Sequence, residues 1–494
     1  MPAGYTSLVS FLPYWRLLLS ACTVSFLSAF PIGYYAIILN VPANAMQNFV
    51  NGSFIHHYSP QTLSSYGLSA LWSFVVSVYL VGSFCGSLLM NSVIKLAGPR
   101  NGLFIWINLL HIFASIFLFS AYFANSFEML IIGRFFSGMG SGLGVGLLAV
   151  YLTECSPVSH RGFVGNIENL AMNISTLIAS IVSLPVALGA DTLWPYLFAI
   201  EFAPAILGII LTICLPDTPK HLFLAKGNTE AASKSLEFYH GPSANTDDTL
   251  VEYNDEKMVD HVRTTFISAW KTRHFRIPVL LGGLCNIATM SSGILPIFAY
   301  SAHMLTKAGV DESASVYVTP VLSLVTLIGS LVALPLMDRL GRRPLLIGGL
   351  TIDVLCCIIF IIGAEASKHY QPMAWLSLAA VIIHLMAYSV GPGPIGWFLG
   401  AEMTPQTVRP VAVSFSISCN AITALISVQL YLVLEKAVGS YAFFLFIIPT
   451  AICIGILCYW LPETKNKSID VIVKNWMDSE DNSTDEISSV VYKF

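Results

Sequence analysis

The chain has 494 residues, of which 55% are hydrophobic and only 11% are charged. Soluble domains contain about 25% charged residues, and the mean hydropathy here is +0.72, so the composition excludes a disordered chain and an array of soluble domains. The 24 lysines and arginines nearly balance the 28 acidic residues, which leaves no strong basic field for nucleic acid. We therefore expect a multi-span membrane protein with no nucleic-acid partner.

Long stretches without Asp, Glu, Lys or Arg run through the chain, and the first lies between Arg16 and Lys95. A helix that crosses the hydrocarbon core needs about 20 predominantly apolar residues, and backbone groups in lipid must be paired within the protein. The pattern predicts an all-α membrane protein with twelve transmembrane helices. They are expected near residues 17–39, 67–93, 101–123, 127–155, 161–187, 193–215, 277–302, 315–338, 345–364, 373–402, 408–434 and 440–461.

The distribution of positive charge predicts the orientation of these helices. If the N-terminus is cytosolic, the outer loops contain only Lys307, Lys368 and Lys436, with Arg134 near an outer helix end, and the other twenty cations lie inside. Because cytoplasmic loops carry the excess of Lys and Arg, we expect both termini in the cytosol. Asn51 then opens an Asn-Gly-Ser sequon in the first outer loop, which predicts N-glycosylation at this position.

A polar segment separates two hydrophobic halves. Its 61 residues carry 17 of the 52 charges, which predicts a cytosolic linker with short helices, one of them over 228–239. The predicted organisation is a cytosolic N-terminus (1–16), an N-terminal six-helix bundle (17–215), the linker (216–276), a C-terminal six-helix bundle (277–464) and a cytosolic tail (465–494).

Charged motifs repeat between the two halves. Glu154 precedes Arg161 by seven residues, and Glu402 precedes Arg409 by seven, with an offset of 248 between the pairs. Two further motifs repeat with offsets of 246 and 243, namely Pro216-Asp-Thr with Pro462-Glu-Thr and Gly98-Pro-Arg with Gly341-Arg-Arg. Their matching places after corresponding helices predict two related six-helix bundles, the plan of transporters with parallel halves and a solute site near the membrane midplane.

The repeated charges fall at the predicted cytosolic helix ends, where acids and arginines can form charge-assisted hydrogen bonds in a partly dehydrated setting. We predict that they form a cytosolic salt-bridge lock that holds the inner gate shut. Its predicted members are Arg100, Glu154, Arg161, Asp217, Asp338, Arg342, Arg343, Glu402, Arg409 and Glu463.

The remaining motifs predict packing rather than chemistry. Gly138, Gly142 and Gly146 lie at i, i+4 and i+8 within a charge-free helix, the small-residue stripe that lets two membrane helices approach closely. The ten cysteines show no spacing typical of a metal site, and no Ser/His/Asp or nucleotide-binding constellation is present. We therefore expect neither an enzyme nor a cofactor.

Taken in order and in register with the predicted helices, the motifs resemble those of the sugar porters of the major facilitator superfamily, and most closely those of the animal facilitative glucose transporters. The resemblance covers about residues 17–475 and implies the major facilitator fold, a small-molecule carbohydrate solute and a plasma-membrane location. We expect the protein to function as a monomer. The motifs that carry the resemblance are Gly133-Arg134, Tyr151 with Glu154, Pro157 and Arg161-Gly162, Pro216-Asp-Thr-Pro-Lys, Asp338-Arg-Leu-Gly-Arg-Arg, Gly391-Pro-Gly-Pro-Ile-Gly-Trp-Phe, Arg409-Pro and Pro462-Glu-Thr-Lys.

The resemblance also implies which residues contact the solute and which move. Neutral hydrogen-bonding groups and an aromatic face suit an uncharged sugar. The implied solute-binding residues are Asn40, Asn169, Asn286, Thr289, Trp397 and Asn420. In the tenth span, proline removes a backbone hydrogen bond and lets the helix bend. The implied gating residues are Tyr300, Gly391, Pro392, Gly393, Pro394 and Gly396.

The seventh span departs from the family pattern. Thr289 and Met290 stand where the family has paired glutamines, and Leu295 stands where it has an asparagine. Thr326 and Ser389 likewise replace an asparagine in the eighth span and an acid in the tenth. A sugar hydroxyl left without a buried partner costs about 1–3 kcal/mol. Lower affinity, a different hexose, a less polar solute and lost transport are the alternatives that this loss leaves open.

Proton coupling requires a titratable group near the solute. Proton-linked sugar porters have an aspartate in the first span where this chain has Tyr35, and tyrosine titrates near pH 10. The sequence therefore favours a facilitative hexose uniporter that works by alternating access. Glu168 is the leading counter-candidate because intramembrane carboxylates are functional candidates, and Glu201, Asp353 and His384 also lie within predicted spans. The alternatives are a proton-coupled or non-glucose carrier that uses Glu168, and a transport-deficient sugar sensor.

Overall fold

The computed structural model describes residues 15–58, 64–157, 161–241, 246, 249–251, 253, 270, 273–404 and 408–465. Most of the predicted cytosolic N-terminus and tail, and part of the linker, lie outside the described residues. Within these ranges the regular secondary structure is helical and includes no β-strand. Ten stretches of the described chain are long and apolar enough to cross a membrane, and Ile167–Val182 forms a shorter apolar helix. The predicted all-α membrane class is confirmed.

The chain divides into two compact units, Met1–Met258 and Val259–Phe494. The described helices of the N-terminal unit are α1 (Trp15–Ile37), α2 (Ala43–His57), α3 (Ser65–Asn101), α4 (Ile107–Phe123), α5 (Phe127–Cys155), α6 (Arg161–Val182), α7 (Trp194–Ala199), α8 (Phe202–Cys214), α9 (Pro219–Leu224) and α10 (Thr229–His240). A π-helical turn over Gly102–Trp106 joins α3 to α4.

The helices of the C-terminal unit include two spans that are interrupted near their middle. The described helices are α11 (Arg273–Ser291), α12 (Ile294–Lys307), α13 (Glu312–Leu340), α14 (Arg342–Ser367), α15 (Ala374–Val390), α16 (Pro392–Glu402), α17 (Arg409–Val438) and α18 (Phe444–Trp460). The break between α11 and α12 interrupts the predicted seventh span, and the break between α15 and α16 interrupts the tenth.

Local sequence signals explain several helix ends. The Ser126 side chain accepts a hydrogen bond from the Met129 backbone N–H at 3.4 Å and so caps α5. Asn228 caps α10 by accepting from the Ala231 N–H at 2.9 Å, and the helix predicted over 228–239 is confirmed. Such caps satisfy backbone donors that the first helical turn leaves without a partner.

The first outer loop contains a helix that the charge pattern did not predict. Met46 and Val50 of α2 are buried, with exposed fractions of 1% and 0%, and this apolar face accounts for the helix. Asn51, the predicted glycosylation site, therefore lies within a helix rather than in an extended loop, and its Oδ1 atom is buried.

Each unit has its own apolar core. In the N-terminal unit, Leu147, Leu148 and Phe104 are fully buried against neighbouring helices. In the C-terminal unit, Leu346 and Leu399 occupy the corresponding core. Lipid chains are as apolar as these side chains, so close van der Waals packing between the helices favours each core.

The predicted glycine stripe of α5 lies against α3. A Cβ atom added at Gly138 would lie 1.9 Å from the Tyr79 carbonyl oxygen, and one added at Gly142 would lie 2.0 Å from that of Ser83. From the opposite helix, an added Cβ at Gly82 would lie 2.0 Å from the Phe135 carbonyl oxygen. The two backbones approach closely only because these side chains are absent, which confirms the packing role.

Candidate functional site

A buried cluster of neutral polar groups lies where α11, α16 and α17 meet in the C-terminal unit. The Asn286 amide nitrogen donates to the Gly396 carbonyl at 2.8 Å and to the Gly282 carbonyl at 3.2 Å. Its oxygen accepts from the Asn420 amide nitrogen at 3.1 Å. The Thr289 hydroxyl donates to its own helix at 2.8 Å, and its oxygen would lie 2.8 Å from a Cβ added at Gly396. We call Asn286, Thr289, Gly396 and Asn420 the amide cluster.

Three of the predicted solute-binding residues are thus brought together by the fold. Asn286 is 2% exposed and Thr289 is 1% exposed, so both side chains bind protein atoms in this structure. Trp397 follows Gly396 directly and is 39% exposed. The cluster gathers amide and hydroxyl groups, which are suited to an uncharged polyhydroxy solute.

The tenth span breaks next to the amide cluster. Gly391, between α15 and α16, has φ −119° and ψ −83°, and Pro392 is the first residue of α16. A Cβ added at Gly391 would lie 2.3 Å from the Leu345 carbonyl oxygen on α14. The break therefore depends on a residue without a side chain, followed by one without a backbone N–H donor.

Tyr300 and the remaining predicted residues lie in different surroundings. Tyr300, on α12, is buried and stacks on Tyr431 with ring centroids 6.0 Å apart. In the N-terminal unit, Asn40 is buried, while Asn169 is half-buried and accepts a hydrogen bond from the Asn173 amide at 3.2 Å. Glu168, the candidate titrating group, is also half-buried.

Arg134, expected near an outer helix end, lies about two turns from the start of α5, and its side chain is buried. It is 3% exposed, and its guanidinium donates to the Tyr35 carbonyl at 3.1 Å and to the Val76 carbonyl at 3.2 Å. The Tyr79 ring lies 4.7 Å from its Cζ atom. A cation buried in this way is stabilised by carbonyl dipoles and by the ring face. The count of outer cations could not reveal this burial.

The repeated motifs form one cluster in each unit. In the N-terminal unit, the Thr218 hydroxyl donates to Glu154 Oε2 at 2.6 Å. Lys226 Nζ lies 2.9 Å from Asp217 Oδ2, and the Ser235 hydroxyl donates to the Asp217 carbonyl at 2.7 Å. We call Glu154, Asp217, Thr218 and Lys226 the N-terminal motif cluster.

The C-terminal unit repeats this arrangement. The Thr464 hydroxyl donates to Glu402 Oε2 at 2.9 Å, and Arg342 Nη2 lies 3.4 Å from Glu402 Oε1. Glu463 accepts hydrogen bonds from the backbone N–H groups of Arg342 and Arg343 at 3.0 and 3.1 Å. We call Arg342, Glu402, Glu463 and Thr464 the C-terminal motif cluster.

Backbone geometry repeats along with the side chains. Gly98 has φ 81° and ψ 166°, and Gly341 has φ 94° and ψ 171°, a conformation that favours glycine. Arg100, near the first of these glycines, donates to the Leu215 carbonyl at 3.2 Å. Arg343, near the second, donates to the Cys458 carbonyl at 2.6 Å.

The structure describes the side chains of seven of the ten predicted lock residues. Each described contact of Arg100, Glu154, Asp217, Arg342, Arg343, Glu402 and Glu463 given above joins residues of one unit. The side chains of Arg161, Asp338 and Arg409 lie outside the described part of the structure. We did not predict that Glu154 and Glu402 accept hydrogen bonds from Thr218 and Thr464. Both threonines lie in the repeated Pro-Asp-Thr and Pro-Glu-Thr motifs.

The backbone donors around Glu463 affect its titration. Burial raises the pKa of this carboxyl group, but the N–H groups of Lys465, Arg342 and Arg343 outweigh burial, so that its pKa lies below its ordinary value. The folded state therefore favours the carboxylate. This contribution to stability is present above the ordinary pKa and is lost as the pH falls through the lowered one.

Replacing Thr218 by Val is expected to destabilise the N-terminal unit by about 1–2 kcal/mol, because a buried hydroxyl that donates to a carboxylate is lost. We expect a lower melting temperature for the purified protein in detergent micelles. Thr218→Ser, which keeps the hydroxyl, should retain most of the stability. Thr351→Val, where the hydroxyl donates to its own helix at an exposed position, should match wild type. Equal melting temperatures for Thr218→Val and Thr351→Val would contradict a stabilising role of the Thr218 hydroxyl in the N-terminal motif cluster.

The chain is similar in sequence to known transporters. The profile of a family described as "Sugar (and other) transporter" matches residues 20–476. The chain is 30% identical over 448 residues to the facilitated glucose transporter member 1 of solute carrier family 2 from Gallus gallus, covering 90% of each chain. It is 30% identical over 460 residues to member 3 from Mus musculus, covering 92% of each.

Solved structures share the fold. The major facilitator proton:xylose symporter XylE, bound to 6-bromo-6-deoxy-D-glucose, superposes with a TM-score of 0.75 at 20% identity, covering 94% of this chain and 100% of that chain. The inward-open form of the xylose transporter XylE from E. coli gives a TM-score of 0.75 and covers 93% of this chain. These likenesses confirm the predicted major facilitator fold.

Proposed function

The chain belongs to the sugar (and other) transporter family, and we propose that it is a facilitative uniporter that moves a hexose or related small carbohydrate across the plasma membrane by alternating access. We further propose that it works as a monomer with both termini in the cytosol and a glycan on Asn51. The similar curated proteins are facilitated glucose transporters by name. The chain acts as a transporter and not as an enzyme.

The observation that carries the proposal is the amide cluster. Asn286 and Asn420 present amides to each other across α11 and α17. Neutral donors and acceptors of this kind match sugar hydroxyls, whereas a cluster of carboxylates would select a cation or an amine. We propose that the solute binds beside this cluster and stacks on Trp397.

The bonds of the amide cluster suggest separate tasks for its members. Both N–H groups of Asn286 are directed to carbonyls, at Gly396 and Gly282, so we propose that Asn286 mainly positions α16. Asn420 gives one N–H to Asn286, and we propose that its other amide atoms bind the solute. In the N-terminal unit, we propose that Asn40 and Asn169 supply further polar contacts.

Two groups of residues are proposed to control access. Gly391, Pro392, Gly393, Pro394 and Gly396 would let α16 change its angle to α15, and Tyr300 would close the outer side. We propose that the two motif clusters, together with Arg100, Arg161, Asp338, Arg343 and Arg409, stabilise the carrier when its cytosolic side is closed. Their loss would then favour the inward-open form.

Transport by the purified protein in liposomes tests this function. The experiment offers a panel of labelled hexoses, polyols and organic acids, with competition by an inhibitor of glucose uniporters. We expect saturable uptake of at least one hexose and little uptake of the organic acids. Saturable uptake of an organic acid with none of any hexose would overturn the proposal. Saturable binding of a hexose without flux would indicate a sensor instead.

A proton-coupled carrier is the second candidate, because Glu168 lies directly beside Asn169 in α6 and is half-buried. An inward proton gradient should then drive accumulation of the solute above its external concentration, and Glu168→Gln should abolish that accumulation. The uniport proposal predicts that the gradient changes only the rate of equilibration.

A further inference from the structure

Two titratable side chains meet inside the C-terminal unit, away from the amide cluster. Asp353 lies on α14 and His384 on α15, and both helices are long and apolar enough to span a membrane. The Asp353 Oδ1 and His384 Nδ1 atoms are 3.4 Å apart, and the side chains are 0% and 2% exposed. This distance permits an ion pair, but within the described part of the chain none of the four polar atoms makes a hydrogen bond of good geometry.

Burial limits the charge that this pair can carry. A single ionised group in an apolar interior is strongly unfavourable unless it is paired or neutralised. One proton shared by a carboxyl group and an imidazole gives zero net charge, whether it resides on oxygen or on nitrogen. Losing that proton leaves one negative charge, and adding a second leaves one positive charge. The pair is therefore suited to hold one proton.

The surroundings provide no compensating charge among the described residues. The titratable groups near Asp353 are Cys356 and Cys357 on the same helix and Tyr388 one turn beyond His384, and all three side chains are neutral in their ordinary forms at pH 7. The elements packed against α14 and α15 are α12, α13, α16, α18 and the 3-10 turns over Gln371–Met373 and Gly439–Phe443. Their described titratable side chains are Tyr300, His303 and Lys307 on α12, Tyr317 and Arg339 on α13, Glu402 on α16, Cys453, Cys458 and Tyr459 on α18, and Tyr441 in the second turn.

The members of this set that can carry charge at pH 7 either contact other residues or lie at helix ends. His303 lies 3.5 Å from Glu435 on α17, and Glu402 belongs to the C-terminal motif cluster. Lys307 and Arg339 lie in the last turns of α12 and α13. A bound proton is therefore the compensating charge that the described neighbourhood offers to the pair.

The pair also lies close to the break in the seventh span. His384 and Cys357 line a small cavity together with Ile297, from the first turn of α12. Cys357, one turn beyond Asp353, has its Sγ atom 4.0 Å from the Ser292 carbonyl oxygen at the break itself. Gly293, between α11 and α12, has φ 90°. A negative charge on the pair would repel this carbonyl oxygen and draw water into the cavity.

We propose that Asp353 and His384 form a proton-binding site in the C-terminal unit, and that proton occupancy of this site sets the conformation of the break between α11 and α12. The ligand is a single proton, and the site is separate from the solute contacts. Loss of the proton destabilises the closed packing of Ile297 and Ser292 against α14 and α15.

The pH dependence of thermal unfolding tests the site without a transport assay. Above pH 7 the unfolded chain has released the protons of aspartate and histidine, whose ordinary pKa values are about 3.9 and 6.5, whereas the folded pair keeps one. Stability contributed by the pair must then fall as the pH rises. We compare the slope of melting temperature against pH in wild type and in Asp353→Asn. Between pH 7 and 9, the slope of wild type should be more negative by about 2 °C per pH unit.

A second variant keeps the test decisive if Asp353→Asn does not fold. Asp353→Leu combined with His384→Phe replaces the pair by apolar groups of similar shape, an exchange that is often neutral or stabilising, and it should lose the same pH slope. Cys356→Ser, one turn from Asp353, is the matched control and should keep the wild-type slope. Equal slopes in wild type and in whichever of the two pair variants folds would overturn the proposal.

Exchange of labelled hexose without a gradient tests the link to the break, and this part rests on the proposed function. The folded pair releases its proton at the pH where the additional slope in wild-type unfolding ends. We expect the wild-type exchange rate to change about fivefold across that pH, and the rate of Asp353→Asn to stay nearly constant. A slope difference in unfolding with pH-independent exchange would keep the proton site but overturn its coupling to the break. If no hexose is transported, the proposed function fails, and the unfolding experiment still decides the proton site.

Discussion

Replacing Asn286 by Leu is expected to lower hexose uptake by about 30-fold or more, because two buried partners then lose their hydrogen bonds at about 1–3 kcal/mol each. The Gly396 carbonyl loses a 2.8 Å bond and the Asn420 amide loses a 3.1 Å bond. Both partners lie on helices that we propose to contact the solute. The measurement is initial uptake into proteoliposomes that contain equal amounts of folded carrier.

Two control variants make this result specific. Asn108 is also a buried asparagine of a membrane helix, but its amide donates to Phe104 within the same span at 2.8 Å, so Asn108→Leu should lower uptake far less. Asn286→Gln keeps an amide and should retain part of the activity. Uptake by Asn286→Leu within twofold of wild type would contradict the role of the amide cluster.

Replacing Gly138 by Ala is expected to destabilise the N-terminal unit by about 3 kcal/mol or more, because overpacking of a tight contact forces backbones apart. The new Cβ would lie 1.9 Å from the Tyr79 carbonyl oxygen, so α3 and α5 must separate. Thermal unfolding and the yield of monodisperse protein after detergent extraction report the change. Gly144 is the matched control, since the nearest atom to an added Cβ there is 3.8 Å away.

The melting temperature of the control variant should not fall. Gly144→Ala adds no clash and improves helix propensity by up to about 1 kcal/mol, so its melting temperature should equal or exceed that of wild type. If Gly138→Ala behaves like Gly144→Ala, the close backbone approach between α3 and α5 is wrong.

The helices of this fold were largely predictable because their signal is local. Charge-free stretches of about 20 residues mark spans regardless of tertiary contacts, and α5 begins and ends at the predicted residues, Phe127 and Cys155. Helix α2 was missed because its buried face, Met46 and Val50, is too short to resemble a span. The glycines and prolines of the tenth span indicated where that helix can bend, and it breaks at Gly391. The break at Gly293 was not predicted from the sequence.

The contacts of the site were less predictable because they join residues far apart in the chain. Asn286 and Asn420 were each expected to contact solute, yet their mutual bond spans 134 residues. The repeated glutamates were expected to pair with arginines, and the structure adds threonine donors, Thr218 and Thr464. Asp353 and His384 were noted separately as intramembrane groups, but hydrophobic periodicity does not specify which faces of α14 and α15 meet.

The time course of hexose uptake into proteoliposomes tests the proposed uniport most directly. The hexose that passes fastest in the panel is supplied outside, with and without an inward proton gradient. We expect saturable uptake that stops when the internal concentration equals the external one, in both conditions. Accumulation above the external concentration when the gradient is applied, and its loss in Glu168→Gln, would contradict facilitated diffusion.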